Sequence, residues 1–296
     1  MQANGVMEPL RPATTEEIKQ LIHFYEQRLP EAGQFALLLQ HISRVNSTLR
    51  GDDLEKVSDR YRKTIYVPKT GNLQQFATFL VISLGEDPFV FMHSMESPPI
   101  ELSTALRNTC YVKWEIQQRV VIGGYNEIRD CLHQTAMERK LHVEAWSECL
   151  NYWMLREEAA NLTYAVPNDV ELRPLKIEHG VQLNECWPFR YKTSQRYIES
   201  SIQHNAGLGL FDRITGQLVS WVFKNDHDAI GHLYTIPDRN NRGYGTTLAK
   251  AITRLIAADH KQHVHTFISE SNTRSIRLFE KIGYTAVGQT EWYIVG

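Results

Sequence analysis

Ile230-Gly-His-Leu-Tyr-Thr-Ile236 runs into Pro237-Asp-Arg-Asn-Asn-Arg-Gly-Tyr-Gly245 and then Thr246-Thr-Leu-Ala-Lys-Ala-Ile-Thr-Arg-Leu-Ile256. The pattern predicts an apolar strand, a glycine-punctuated turn and an amphipathic helix. Leu248, Ile252, Leu255 and Ile256 share one helical face, with Lys250 and Arg254 on the other. The first N–H groups of such a helix have no intrahelical partner. They point at the turn, where the helix dipole adds partial positive charge. A phosphate can accept several of these bonds at once. Gly243 and Gly245 lack a Cβ, so the backbone can approach a pyrophosphate closely. Arg242 adds a full charge, and Thr246 and Thr247 add hydroxyl donors. An ordinary strand-turn-helix connection would read the same way, so this segment alone leaves both readings open. The Lys-Ser/Thr ending of a P-loop and the third glycine of a dinucleotide turn are both missing.

A second segment follows: Ser269-Glu-Ser-Asn272-Thr-Arg-Ser-Ile-Arg-Leu-Phe279-Glu-Lys-Ile-Gly283-Tyr284. Asn272 is placed to cap a helix, and Gly283 stands where that helix would end. Ile276, Phe279 and Ile282 form one apolar face. In this order the two segments resemble the GNAT superfamily of CoA-dependent N-acyltransferases. Its signature is a strand, Arg/Gln-x-x-Gly-x-Gly/Ala, a helix, a second strand and Asn-x-x-Ala-x-x-Leu-Tyr-x-x-x-Gly-Phe. The resemblance covers about residues 168–296. Leu218-Val-Ser-Trp221 and Leu233-Tyr-Thr-Ile-Pro-Asp-Arg239 are similar to the glycine N-acyltransferase-like branch. That branch also carries an N-terminal GNAT-like half without a cofactor turn.

The resemblance implies acetyl-CoA or another acyl-CoA as co-substrate, no metal, and a small-molecule primary amine as acceptor, foremost the amino group of glycine or another small amino acid. The alternatives are a polyamine, an arylalkylamine or a protein amine as acceptor, or a CoA-binding module without catalysis. It places the CoA pyrophosphate on the backbone of Asn240, Asn241, Arg242, Gly243, Tyr244, Gly245 and Thr246. The pantetheine arm would run beside Leu233, Tyr234 and Thr235, with Asn272 on its other side and Phe279 nearby. A V-shaped gap between strands at 229–236 and 264–268 would admit the thioester. A backbone N–H near Tyr234–Thr235 would serve the developing oxyanion.

Two positions depart from the family pattern. Ala229 stands where many relatives hold a glutamate base, and Phe279 where many hold an acidic tyrosine. His227, Asp228 and His232 are the nearby groups able to take a proton. We therefore take His232 and Asp228 as the candidate catalytic pair. Along a regular strand, however, Ala229, Gly231 and Leu233 share a face that His232 does not. Only a bulge would bring His232 round; otherwise it is a packed strand histidine. Asn225-Asp-His-Asp228 reads as a polar, solvated turn. Trp187 falls in the helix region that shapes the acceptor pocket in relatives, and it also suits a core position. Arg274 and Arg277 would approach the CoA 3′-phosphate or pair with Glu280.

The bulk composition fits a soluble globular protein. The chain has 296 residues, 42% hydrophobic and 22% charged, and a net charge of -2. No global basic field points to nucleic acid, and no apolar run suits a bilayer. The N-terminal residues resemble neither a secretory signal nor a transit peptide, so a cytoplasmic location is expected, with a mitochondrial one allowed by the family. Cys110, Cys131, Cys149 and Cys186 form no metal-binding spacing and are expected as free thiols.

Periodicity predicts helices over 14–29, from Phe35 to Val45 and over Glu101–Arg107, with another over Tyr125–Lys140. Strands are expected at Lys63–Val67, Phe76–Leu84, Phe89–Met95 and Trp114–Ile122, the last broken by Gly123-Gly124. A turn-rich stretch, Asn161–Asn168, suggests a boundary between domains 1–165 and 166–296. Beyond it come a strand (Val170–Arg173), helices (Ile177–Trp187, Thr193–His204) and strands (Gly207–Asp212, Leu218–Lys224), then the opening segment. The similar order in both halves suggests duplication. The expected fold class is α/β (α+β): a GNAT-type mixed, mostly antiparallel sheet flanked by helices, as two tandem domains with the N-terminal one degenerate.

Overall fold

Local signals set the first helix much as predicted. Thr14 and Glu17 close a capping box, in which Glu17 N–H donates to Thr14 Oγ1 (3.3 Å) and Thr14 N–H donates to Glu17 Oε2 (2.9 Å). The computed structural model describes residues 7–295 apart from 52, 84, 86, 87, 113, 115–119 and 125–127. The expectations for the extreme N-terminus, for most of Trp114–Ile122 and for the start of Tyr125–Lys140 therefore lie partly outside the described residues.

The first half contains β1 (Leu10–Pro12), α1 (Thr15–Glu26), α2 (Gly33–Thr48), α3 (Asp53–Lys56), β2 (Lys63–Pro68), α4 (Leu73–Phe76), β3 (Phe79–Ser83), β4 (Phe89–His93), α5 (Ile100–Asn108), β5 (Val120–Gly124), α6 (Arg129–Arg139) and β6 (Val143–Met154). Then follow α7 (Arg156–Ala160), β7 (Val170–Pro174), α8 (Gly180–Glu185), α9 (Ser194–His204), β8 (Gly207–Asp212), β9 (Leu218–Lys224), β10 (Ile230–Thr235), α10 (Tyr244–Asp259), β11 (Val264–Ser269), α11 (Thr273–Lys281) and β12 (Thr285–Val295).

The chain divides into two compact units, Met1–Glu148 with Gln289–Gly296, and Cys149–Gly288. Each repeats one topology. In the first, β1 to β5 lie in chain order, and only β4 and β5 run parallel. The last strand, β12, is antiparallel to β5 there, pairing Glu291–Val295 with Val120–Gly124. In the second, β7 to β11 lie in chain order, and only β10 and β11 run parallel. Residues 149–154 of β6 complete that sheet antiparallel to β11. The duplication and the mixed, mostly antiparallel sheet are as the sequence suggests.

The core of the second unit lies between α10 and the sheet. Leu248, Ile252 and Ile256 of α10 meet Leu210, Val222, Ile230, Val264 and Ile268, each less than 5% exposed. Leu255 is only partly buried against this core. In the first unit, α1 and α2 cover one sheet face through Leu21, Tyr25, Phe35 and Leu39, and α5 and α6 contribute Leu102, Leu106 and Leu132 to a separate cluster.

Three expectations need correction. Gly123-Gly124 does not break a strand but lies within β5. Val143–Met154 is a strand that sequence reading leaves unassigned. The units divide near residue 149 rather than in the turn-rich stretch, because Tyr152, Met154, Ala159 and Val170 all belong to one core. That stretch is also tied to α10, since Thr247 Oγ1 donates to Ala165 O (3.2 Å) and Lys250 Nζ to Thr163 O (3.2 Å).

Candidate functional site

The turn before α10 has the backbone of an anion cradle. Asn241 and Gly243 adopt left-handed φ values of 62° and 80°, and Gly243 is the N-cap of the helix. Gly243 has no side chain to cap the first turn, and among the described residues no side chain accepts from that turn's N–H groups. The N–H groups at that end are thus left for solvent or a ligand. A Cβ placed on Gly243 would meet nothing within 4 Å, so the glycine faces open space. Gly245 differs, because its Cβ would touch Leu278 at 3.6 Å, and the residue serves close packing against α11.

The side chains sort into two directions. Asn241, Arg242 and Gly243 are exposed, and Asn240 and Thr246 are half-buried. Tyr244 points inward at 1% exposure, and its hydroxyl donates to Asp169. Burial and Asp169 push the Tyr244 phenol up, and the Tyr244 bond holds the Asp169 carboxyl low. Tyr244 therefore offers the cradle only its backbone. Arg242 lies 3.5 Å from Asp169, which partly offsets its charge. Arg274 Nη2 donates to Asn240 Oδ1 (3.3 Å), so this arginine lies beside the turn.

Beside the turn, β10 carries the bulge that a regular strand lacks. Gly231 pairs with Phe223 and Tyr234 with Trp221, so three steps in β10 match two in β9. His232 is the inserted residue, with φ at 55°. On the other side β10 and β11 are in register only at Ile230↔Thr266 among the described residues. There Thr266 Oγ1 donates to Ile230 O (2.8 Å). From Gly231 to Thr235 the backbone is half-buried and, among the described residues, has no strand partner on that side. This is the geometry of the expected V-shaped gap, and it leaves the Leu233–Thr235 backbone open to an extended ligand.

The bulge turns His232 into a cluster of rings. Its imidazole stacks on Phe223 (4.2 Å, 16°) and sits 4.8 Å from Trp187 and 6.0 Å from Tyr197. Trp187 also meets Tyr191 at 5.9 Å and Tyr197 at 5.8 Å. Tyr197 donates its hydroxyl to Asp226 Oδ1 (2.9 Å). Burial lowers the His232 pKa to about 4, against a smaller raising effect of Asp226. The ring is half-buried rather than sealed, so solvent moderates that fall. Tyr234 stacks on Trp221 at 4.9 Å and shares a hydrogen bond with Cys186, and burial pushes its phenol up.

The second candidate base is tied elsewhere. Asp228 forms an ion pair with Lys224 (2.7 Å), both side chains being 1% exposed, and Lys224 also donates to Gln262 (3.0 Å). The 225–228 turn is not solvated as expected: Asp226, His227 and Asp228 are buried. Asn225 Oδ1 builds that turn by accepting from the N–H groups of His227 (2.9 Å) and Ala229 (3.1 Å). Ala229 is fully buried and offers no proton acceptor.

On the far side, Asn272 Oδ1 caps α11 by accepting from Ser275 N–H (3.1 Å). Phe279 is 3% exposed and meets Tyr284 edge-on at 5.1 Å, so it belongs to the core rather than to a binding surface. Sequence reading singled out Trp187 but missed Tyr197, Phe223 and Asp226. The alternation of β9 places Phe223 and Trp221 on one face, which was the available signal; the Tyr197–Asp226 bond had none.

Family models match segments of both halves, and solved structures superpose on the whole chain. Residues 9–136 match a family described as a domain of unknown function (DUF5645), and residues 207–293 match one described as FR47-like protein. No curated protein matches the chain significantly. An X-ray structure of a Drosophila protein superposes with a TM-score of 0.89 at 24% identity, covering 98% of this chain and 99% of that one. A tandem GNAT protein from the clavulanic acid biosynthesis pathway gives 0.55 at 11% identity, covering 97% of each chain. A putative acetyltransferase from Pyrococcus horikoshii gives 0.57 at 11% identity, covering 100% of this chain and 92% of that one. The chain therefore has the GNAT fold in tandem, with the bulge, the turn and α11 all inside its FR47-like segment.

Proposed function

We propose that the chain is an acyl-CoA-dependent N-acyltransferase acting on a primary amine from its C-terminal unit. The observation that carries this reading is the bulge at His232 beside the open cradle at Gly243. The cradle fits CoA, because an uncapped helix start and two left-handed residues direct N–H groups at one place. The phosphates would lie against Asn240–Thr246, and the arm would pair with the backbone around Leu233–Thr235. CoA supplies the acyl group as a thioester, already activated toward amines.

The protein's task is to orient the amine, exclude water and receive a proton. His232, held below the ordinary imidazole range by burial, is too weak a base to deprotonate a free alkylammonium: even an unshifted imidazole near about 6.5, against an amine near about 10, would make the transfer cost about 5 kcal/mol. The neutral amine therefore attacks, and its nitrogen turns acidic only as the C–N bond forms and the C–S bond breaks. His232, neutral at pH 7, accepts the proton at that moment, and the leaving sulfur finally carries it. The net change is amine plus thioester to amide plus thiol. No strong acid is needed for a thiol to leave, which suits the inward Phe279. The glycine N-acyltransferase-like branch remains a likeness of short strand words.

His232→Asn tests the assignment. Asparagine tolerates left-handed φ, so the bulge survives. With acetyl-CoA and an amine panel, free-thiol release should fall in kcat by about 100-fold, with the acetyl-CoA KM unchanged. An unchanged kcat would remove His232 from the mechanism.

A further inference from the structure

We propose that the acceptor is a primary amine carried on a flat, apolar body, with no carboxylate beside the nitrogen; in chemical class it is an arylalkylamine stacked on the Trp187 wall. This rests on the N-acyltransferase reading and narrows it.

Two independent features lead there. The first is shape. Trp187, Tyr191, His232 and Tyr234 are each half-buried and line the bulge with ring faces and edges rather than with a narrow polar niche. A ligand as small as glycine would leave these faces wet. A flat ring offset-stacked or edge-on to Trp187 covers them, while a short linker brings the nitrogen to His232.

The second feature is charge. The side-chain polar groups bonded to or beside the rings are hydroxyls, a thiol and a carboxylate, among them Tyr197, Tyr234, Ser194, Cys186 and Asp226. None of these can neutralise an α-carboxylate. Among the described residues the buried cation nearby is Lys224, which is 1% exposed and already paired with Asp228. Arg190, Lys192 and Arg196 are on the same stretch of chain but are exposed, and Arg190 donates to Glu185 O (3.1 Å). A carboxylate held beside Asp226 would be desolvated and repelled at once. Rejection of amino acids is thus built into the wall, as a site rejects groups it leaves unpaired.

The test uses the full chain with acetyl-CoA and follows free-thiol release. Phenethylamine and phenylalanine share a body and differ by the carboxylate, and glycine and spermidine complete the set. Phenethylamine should exceed phenylalanine and glycine in kcat/KM by about 100-fold. Trp187→Ala should raise the phenethylamine KM about tenfold while leaving the acetyl-CoA KM unchanged, and Trp187→Phe should recover most of it. Should Trp187→Ala also lose acetyl-CoA binding, and so its fold, the wild-type substrate ranking decides alone. Turnover of glycine or phenylalanine equal to phenethylamine overturns the acceptor class but keeps the N-acyltransferase. Thiol release with no amine at all overturns both.

Discussion

Gly243→Glu separates the cradle from the rest of the fold. Gly243 holds φ at 80°, where an L-residue is strained by about 1–2 kcal/mol. Its Cβ direction is empty within 4 Å, so no clash adds to that figure. The second unit should therefore melt several degrees lower, at about 2–4 °C per kcal/mol. Binding suffers for another reason. A carboxylate about 5 Å from a doubly charged pyrophosphate, at an effective dielectric of about 40, costs about 3 kcal/mol. That is a rise of roughly 150-fold in the CoA Kd. Gly216→Glu is the matched control, because Gly216 has φ at 73° and the same empty surroundings, but sits in the turn between β8 and β9. The two variants carry equal strain and charge. Calorimetric titration of CoA should find Gly216→Glu within about threefold of wild type. Equal losses in both, or none in Gly243→Glu, would refute the placement of the phosphates.

Other perturbations follow from the buried polar groups. Breaking the Lys224–Asp228 pair with Lys224→Met leaves a buried carboxylate without its cation and should cost about 3–5 kcal/mol in urea unfolding. A cost below about 1 kcal/mol would mean the pair is solvated. His265 is 1% exposed, donates from Nε2 to His227 O (3.2 Å) and is lowered by burial to about 4. Between pH 6.5 and 4 the unfolded chain binds a proton there that the native state refuses, so stability falls as pH falls through that window. The contribution reaches about 3 kcal/mol, and His265→Gln should flatten the profile; an unchanged slope would show that other groups set it. The kcat/KM of the wild type should rise with pH alongside the neutral amine fraction, with no inflection near 6.5 from His232. An inflection there would show that His232 titrates as an ordinary exposed imidazole.

The helix and strand pattern around the site was legible because it is local. Gly207–Asp212 and Leu218–Lys224 match the expected strands residue for residue, and Asn272 and Gly283 bound α11 as read. What escaped was set by distant partners. The first half of β6 is largely exposed and carries Glu144 and Glu148, and the second half is a strand because it pairs with β11, over a hundred residues on. The bulge obeys no periodicity, since one inserted residue reverses the face that alternation assigns to His232. The turn at 225–228 reads as solvent-facing from its composition, yet it is buried: Tyr197 donates to Asp226, Asn225 Oδ1 accepts from the His227 N–H, and Lys224 pairs with Asp228. Phe279 shows the opposite case: its helical periodicity already placed it with Ile276 and Ile282 in the core, and family position alone suggested a binding role.

Acyl transfer itself is measured by product. Wild-type protein incubated with acetyl-CoA and a mixture of primary amines, then resolved by mass spectrometry, should yield the N-acetyl amide of the arylalkylamine in step with free CoA. His232→Asn should slow that amide about 100-fold. CoA bound at the Gly243 cradle with no amide formed from any amine would contradict the N-acyltransferase and leave a CoA-binding fold without this chemistry.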